Sequence, residues 1–191
     1  MPKKGGGSKI VFFGIIIILL AGAGFYYIKY FSKRPKKAVR PIYSETAPKI
    51  KDSDEKMKIS LYFSSPDDEH LIVESREIYR TVSKIDQIKQ AVIALVEGPD
   101  KDLDPVIPEG TVLKEVFLDK NGTAYVDFSA EFVKNHPGGS SGEIMTVYGI
   151  VNTLCANFPE VKSVQILVEG KEIETISGHL DTRYPFSMKN I

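Results

Sequence analysis

Near the start of the chain, Ile10 to Ile28 (IVFFGIIIILLAGAGFYYI) form an uncharged run bracketed by Lys9 and Lys29. As an α-helix rising ~1.5 Å per residue, this run reaches roughly 28 Å, close to the ~30 Å hydrocarbon thickness of a bilayer. A helix packed in a water-soluble core keeps one polar face, and this stretch has none. The run therefore reads as a transmembrane helix or signal anchor, and whatever follows must fold as a body attached to a lipid surface.

Charge divides the chain in two. Residues 1–50 hold ten Lys and Arg against one Glu, a net +9, whereas residues 51–191 hold fifteen against twenty-four acidic residues, a net −9. An acidic globular part is repelled by phosphate backbones, which argues against nucleic acid and leaves the basic clusters as topology and lipid signals. Membrane lipid is thus the first expected partner.

Two signals for orientation oppose each other. Lys29, Lys33, Arg34, Lys36, Lys37 and Arg40 outnumber Lys3, Lys4 and Lys9, which on a bare count holds the C-terminal side in the cytoplasm. A basic segment, an apolar stretch and then Ala21-Gly22-Ala23 have the layout of an export signal with an A-x-A-like cleavage site. Phe25, Tyr26 and Tyr27 continue the apolar stretch past that site and suit an aromatic belt at the far interface. The reading adopted is an uncleaved single-pass anchor with a cytoplasmic N-terminus and an extracytoplasmic domain. Cys155 is the only cysteine, so no intramolecular disulfide forms and no cysteine lies beside the run to take a lipid.

Four segments follow: a basic N-terminal stretch (1–9), the anchor (10–28), a basic linker with Pro35, Pro41 and Pro48 (29–56), and a domain over 57–187. Within the domain, Met57 to Phe63 alternates apolar and polar residues as a half-buried strand does, and Leu71 to Arg76 reads as its return. Ser83 with Asp86, the spacing of Ile85, Ile88, Val92 and Leu95, and the stop at Gly98-Pro99 predict a helix over 84–97. Val112 to Leu118 and Thr123 to Phe128 read as a hairpin, with Asn121-Gly122 supplying a type I′ turn. Ser140 and Glu143 fit a capping box for a second helix that Pro159 ends, and Lys162–Val168 with Glu172–Ile176 form a last hairpin around Glu169-Gly170. The fold class expected is α+β, a two-layer sandwich built as strand-strand-helix twice plus a closing hairpin, with both helices on a common sheet.

Little in the sequence carries chemistry. The loop Asn135 to Glu143, with Gly138, Gly139, Ser140 and Ser141, presents N–H groups at a helix N-terminus and is read either as a capping loop or as an anion site. It has no P-loop lysine and is not G-x-G-x-x-G, which argues against nucleotides. Asp67, Asp68, Glu69 and His70 lack EF-hand spacing and read as a solvated turn. His179, Asp181 and Arg183 alternate near the end and read as packing and solvent contacts. Three histidines, no H-E-x-x-H and no paired cysteines give zinc no support, so neither metal nor cofactor is expected. No G-x-S-x-G elbow is present, although a hydrolase built from Ser140 or Ser141 with a histidine stays open as an alternative.

Several blocks, in order and at suitable spacing, resemble the GerMN domain of bacterial sporulation and spore germination proteins. They are Leu61-Tyr62-Phe63, Glu74 and Arg76, Leu95 to Pro99, Ile107 to Thr111, Val126 to Phe132, Glu143, Thr153-Leu154, and Val164 to Gly170. The resemblance implies an extracytoplasmic α/β module without known catalytic activity. Such a module acts as a binding or assembly part of the cell envelope, with an envelope protein or a second copy as partner, and an anion or ligand sensor through the glycine-rich loop is the other alternative. Among the matched residues, Asp127 and Ser129 face away from Val126 and Phe128. They are read as bracing for the loop before the second helix or as a contact site.

Overall fold

A computed structural model describes residues 54–67, 69–100 and 102–191. The basic stretch, the anchor and the linker up to residue 53 lie outside the described residues. Among those described, no helix is long and apolar enough to cross a membrane.

The elements in order are β1 (Lys56–Ser64), β2 (Leu71–Tyr79), α1 (Lys84–Glu97), β3 (Leu113–Leu118), β4 (Thr123–Phe128), the single-turn α2 (Glu131–Lys134), α3 (Ser140–Asn157), β5 (Ser163–Val168) and β6 (Lys171–Glu172). The class is α+β, as expected, but one common sheet is not what forms. β1 and β2 make an antiparallel pair of their own, and β3-β4-β5-β6 make a second sheet. In that second sheet β4 and β5 run parallel, because the chain between them travels through α2 and α3.

The local reasons are those of pattern and punctuation. Ile59, Leu61 and Phe63 of β1 and Ala124, Val126 and Phe128 of β4 are buried, each set spaced by two. Helix α1 occupies the predicted residues, with the Ser83 hydroxyl accepting the Asp86 N–H at 3.2 Å and Gly98 closing it at φ 84°. Phe128 stacks on Phe132 at 4.6 Å between centroids, so the single turn of α2 seals the end of β4.

Two turns differ from expectation. At Asn121-Gly122 only Gly122 has a positive φ, because the Asp119 carboxylate accepts the N–H groups of Asn121 (2.9 Å) and Thr123 (2.8 Å) and draws the chain into a three-residue loop. The two consecutive positive φ angles of a type I′ turn occur instead at Glu169 (54°) and Gly170 (74°). The strand beyond that turn is only two residues long, and the coil after it is stitched back at Phe186, which exchanges hydrogen bonds with Val164.

Gly149 lies buried in the middle of α3, where glycine ordinarily costs about 1 kcal/mol relative to alanine. It is there because a Cβ at this position would lie 2.9 Å from the Val106 side chain. Gly149→Ala is expected to destabilise the domain by about 1–3 kcal/mol through overpacking, and Val106→Ala in the same chain to restore part of the loss. Thermal melting of the two variants checks this.

Candidate functional site

The loop before α3 and the coil after β6 meet around one carboxylate. Gly138 and Gly139 both hold φ at 84°, a conformation disfavoured for other residues, and a Cβ at Gly138 would lie 3.2 Å from the Ser177 Oγ. Gly139, not Ser140, is the N-cap, so the predicted capping box does not form; Ser140 and Ser141 are exposed in the first turn. Glu143 is turned inward and is 0% exposed. One of its oxygens accepts the His179 N–H at 3.0 Å and lies 2.7 Å from His179 Nδ1. The other accepts the Leu180 N–H at 3.1 Å and the Thr175 hydroxyl at 3.4 Å. Burial pushes this carboxyl up, but the His179 ring and the N–H groups of Leu180, Ser177 and His179 together hold it below the ordinary value of 4.5.

His136 sits beside this cluster with both ring nitrogens engaged. Its Nδ1 accepts the Gly138 N–H at 3.0 Å, so the proton is on Nε2, which donates to Thr146 Oγ1 at 3.1 Å. Burial lowers its pKa and favours that neutral ring. A ring that donates to a hydroxyl cannot act as its base, so Thr146 is not an activated nucleophile. His136 is paired with Gly138 and Thr146, and His179 with Glu143.

Asp127 and Ser129 brace other segments. Asp127 is nearly buried and accepts the Gly170 N–H at 2.8 Å, so its partner is the β5–β6 turn and not the loop before α3. Glu169 of that turn reciprocates, accepting the Ala130 N–H at 3.1 Å while its other oxygen meets Lys114 Nζ at 2.6 Å. Ser129 exchanges hydrogen bonds with the backbone of Val112, at 3.1 Å through its hydroxyl and 2.9 Å through its N–H. The remaining polar groups singled out from sequence lie apart from these. Asp67 accepts hydrogen bonds from the Ser65 hydroxyl and the Glu69 N–H within its turn, and Arg183 grips Asp181 through two hydrogen bonds on the surface.

A second buried carboxylate went unread as a brace. Glu74 on β2 is 2% exposed, pairs with Arg76, and accepts the Asp100 N–H at 3.1 Å. Arg76 in turn donates to the Gly98 carbonyl at 3.1 Å, which ties β2 to the C-terminal end of α1. The signal was in the strand: Ile72, Glu74, Arg76 and Ile78 share one face, and a charged pair in phase with apolar residues on a half-buried strand must be satisfied internally.

A family model described as Germane, sporulation and spore germination, matches residues 60–174. The chain belongs to this family. Solved structures agree. The chain is similar to the first GerMN domain of the sporulation protein GerM from Bacillus subtilis, with 25% identity, a TM-score of 0.51 and coverage of 69% of this chain and 94% of that one. It is also similar to the tandem GerMN domains of the same protein, with 22% identity, a TM-score of 0.57 and coverage of 70% of this chain and 46% of that one. A candidate lipoprotein from Clostridium perfringens matches with 25% identity, a TM-score of 0.51 and coverage of 69% and 87%. No curated protein matches the chain.

The landmarks of the GerMN resemblance fall on the braces described above. Glu74 and Arg76 clasp the Gly98 carbonyl and the Asp100 N–H, the 126–132 block interlocks with 164–170 through Asp127 and Glu169, and Glu143 holds the closing coil. Chemically, these are carboxylates that accept backbone N–H groups, an arrangement that fixes backbone.

Proposed function

We propose that this chain is a membrane-anchored GerMN module exposed outside the cytoplasm, serving binding or assembly in the bacterial cell envelope in a sporulation or germination setting. The observation that carries the reading is the use of the family's polar landmarks as internal braces. Residues that in an enzyme would be aimed at a substrate are here spent on Gly98, Gly170, Leu180 and Val112. Support for the location comes from the apolar run, from the export-type layout around Ala21-Gly22-Ala23, and from the lipoprotein description of the Clostridium perfringens relative. The hydrolase alternative is weakened by the occupied ring of His136 and by the engagement of His179 Nδ1 with Glu143.

A compartment-sensitive reporter fused after Ile191 tests the location. Activity is expected only outside the cytoplasm, in agreement with the export layout and against the flanking charge count. Activity confined to the cytoplasm would overturn the reading.

A further inference from the structure

The β1–β2 pair has two edges, and they are treated differently. On β1 the outward groups of Ser60 and Ser64 and the Tyr62 N–H are covered. Asn157 of α3 accepts the Ser60 N–H at 2.9 Å and donates to its carbonyl at 2.7 Å, Thr153 accepts the Tyr62 N–H at 3.0 Å, and Ser64 exchanges bonds with Asp104. The second sheet is protected as well: β5 is bridged by Phe186, and on β3 the Glu115 carboxylate, held by Lys89 of α1, accepts the Val116 N–H. Such covering is how native sheets avoid pairing with other chains.

On β2 the cover stops short. The Arg80 N–H points inward to the Glu55 carbonyl, so the alternate residues Val73, Ser75, Glu77 and Tyr79 direct their backbone groups away from β1. The Gln90 side chain takes both the N–H and carbonyl of Tyr79, and the Leu71 N–H meets the Ile191 carbonyl at 3.4 Å. Between those two ends, the backbone groups of Val73, Ser75 and Glu77 have no partner among the described residues. All three residues are exposed, Val73 by 46%, and the stretch contains no proline, bulge or outward lysine to discourage pairing.

The sequence of this window is complementary to itself. Two antiparallel copies related by a two-fold axis at Ser75 place Val73 opposite Glu77 of the second copy, and Ser75 opposite Ser75, all with backbone groups facing each other. On the inner face Ile72 then lies opposite Ile78, and Glu74 opposite Arg76, each of the latter two already paired within its own chain. No like charges are set directly opposite. We infer that the β2 edge, centred on Ser75, pairs with the same edge of a second copy of this chain, through about six backbone hydrogen bonds, to make a continuous four-stranded sheet. This inference rests on the assembly reading and specifies its partner.

Disulfide capture in the full-length chain in membranes tests it, in a Cys155→Ser background that leaves no other thiol. In this register the Ser75 Cα atoms are ~5.5 Å apart, within the ~4.4–6.8 Å range of disulfides. The two Val73 positions are ~13 Å apart along the strand. Ser75→Cys is expected to give about tenfold more covalent dimer than Val73→Cys. Chains carrying Val73→Cys and Glu77→Cys are expected to link when mixed. Adding Ser75→Pro, which removes an outward N–H and leaves the β1 ladder intact, is expected to abolish that mixed link with the circular dichroism spectrum unchanged. Equal capture at Ser75 and Val73, no capture, or capture of Ser75→Cys onto a different protein overturns self-pairing. The last of these leaves the assembly reading standing, whereas a cytoplasmic reporter sinks that reading without touching the edge.

Discussion

Replacing Glu143 with alanine is expected to lower the stability of the domain by about 3–5 kcal/mol, with the loss concentrated in the coil after β6. The carboxylate is fully buried and accepts from Thr175, Leu180 and the backbone of His179 while contacting the His179 ring, so its removal leaves buried donors without acceptors. Glu143→Gln keeps the shape but turns an amide NH2 toward groups that are themselves donors, and it should fall between wild type and alanine. The pH dependence has a definite sign. Because the folded pKa lies below 4.5, this carboxylate's contribution is fully present above that value and is lost as pH falls through the folded pKa. Hydrogen exchange of the amides from 173 to 182 between neutral pH and about pH 3 reads this directly. A wild-type profile that coincides with that of Glu143→Gln over the acid range counts against the assignment.

The second large effect is expected at Arg76. Truncation to alanine strips the charge partner from Glu74, which is 2% exposed, and takes the donor from the Gly98 carbonyl at the end of α1. A buried carboxylate left without its partner costs about 3–5 kcal/mol. The double variant Glu74→Leu with Arg76→Met removes both charges and keeps most of the volume, and it should recover most of that loss. Denaturant midpoints of Glu74→Leu, Arg76→Met and the double variant complete the cycle. If the double variant is no more stable than Arg76→Ala, the pair is not the source of the effect.

These two carboxylates mark where sequence reasoning reached its limit. Helix α1 was legible to the residue because its cap, its apolar spacing and its Gly98-Pro99 stop all agree. The β3–β4 hairpin was legible in position but not in turn type, since a single Asp119 side chain competes for the N–H groups that a type I′ turn would leave exposed. Glu143 three residues after a serine at a helix start has the appearance of a capping box. Its true partners lie 32 to 37 residues further on, where no local pattern points. The division into two sheets was hidden for the same reason: each strand carries its period in its own residues, but which edge it meets is decided by α3 and its side chains. The GerMN landmarks were visible as a set, and their common use as braces emerged only once their partners were known.

The clasp between Asn157 and Ser60 joins residues 97 positions apart. In a chain delivered from its N-terminus, β1 and β2 are complete long before the far end of α3 arrives, and until then the hairpin has both margins bare. A two-stranded ribbon in that condition is marginally stable and prone to find the wrong neighbour. Newly made copies therefore pass through an interval in which correct maturation competes with clumping. Substitutions at Thr153 or Asn157 should lengthen that interval, and so reduce the yield of mature protein by more than their effect on its final stability.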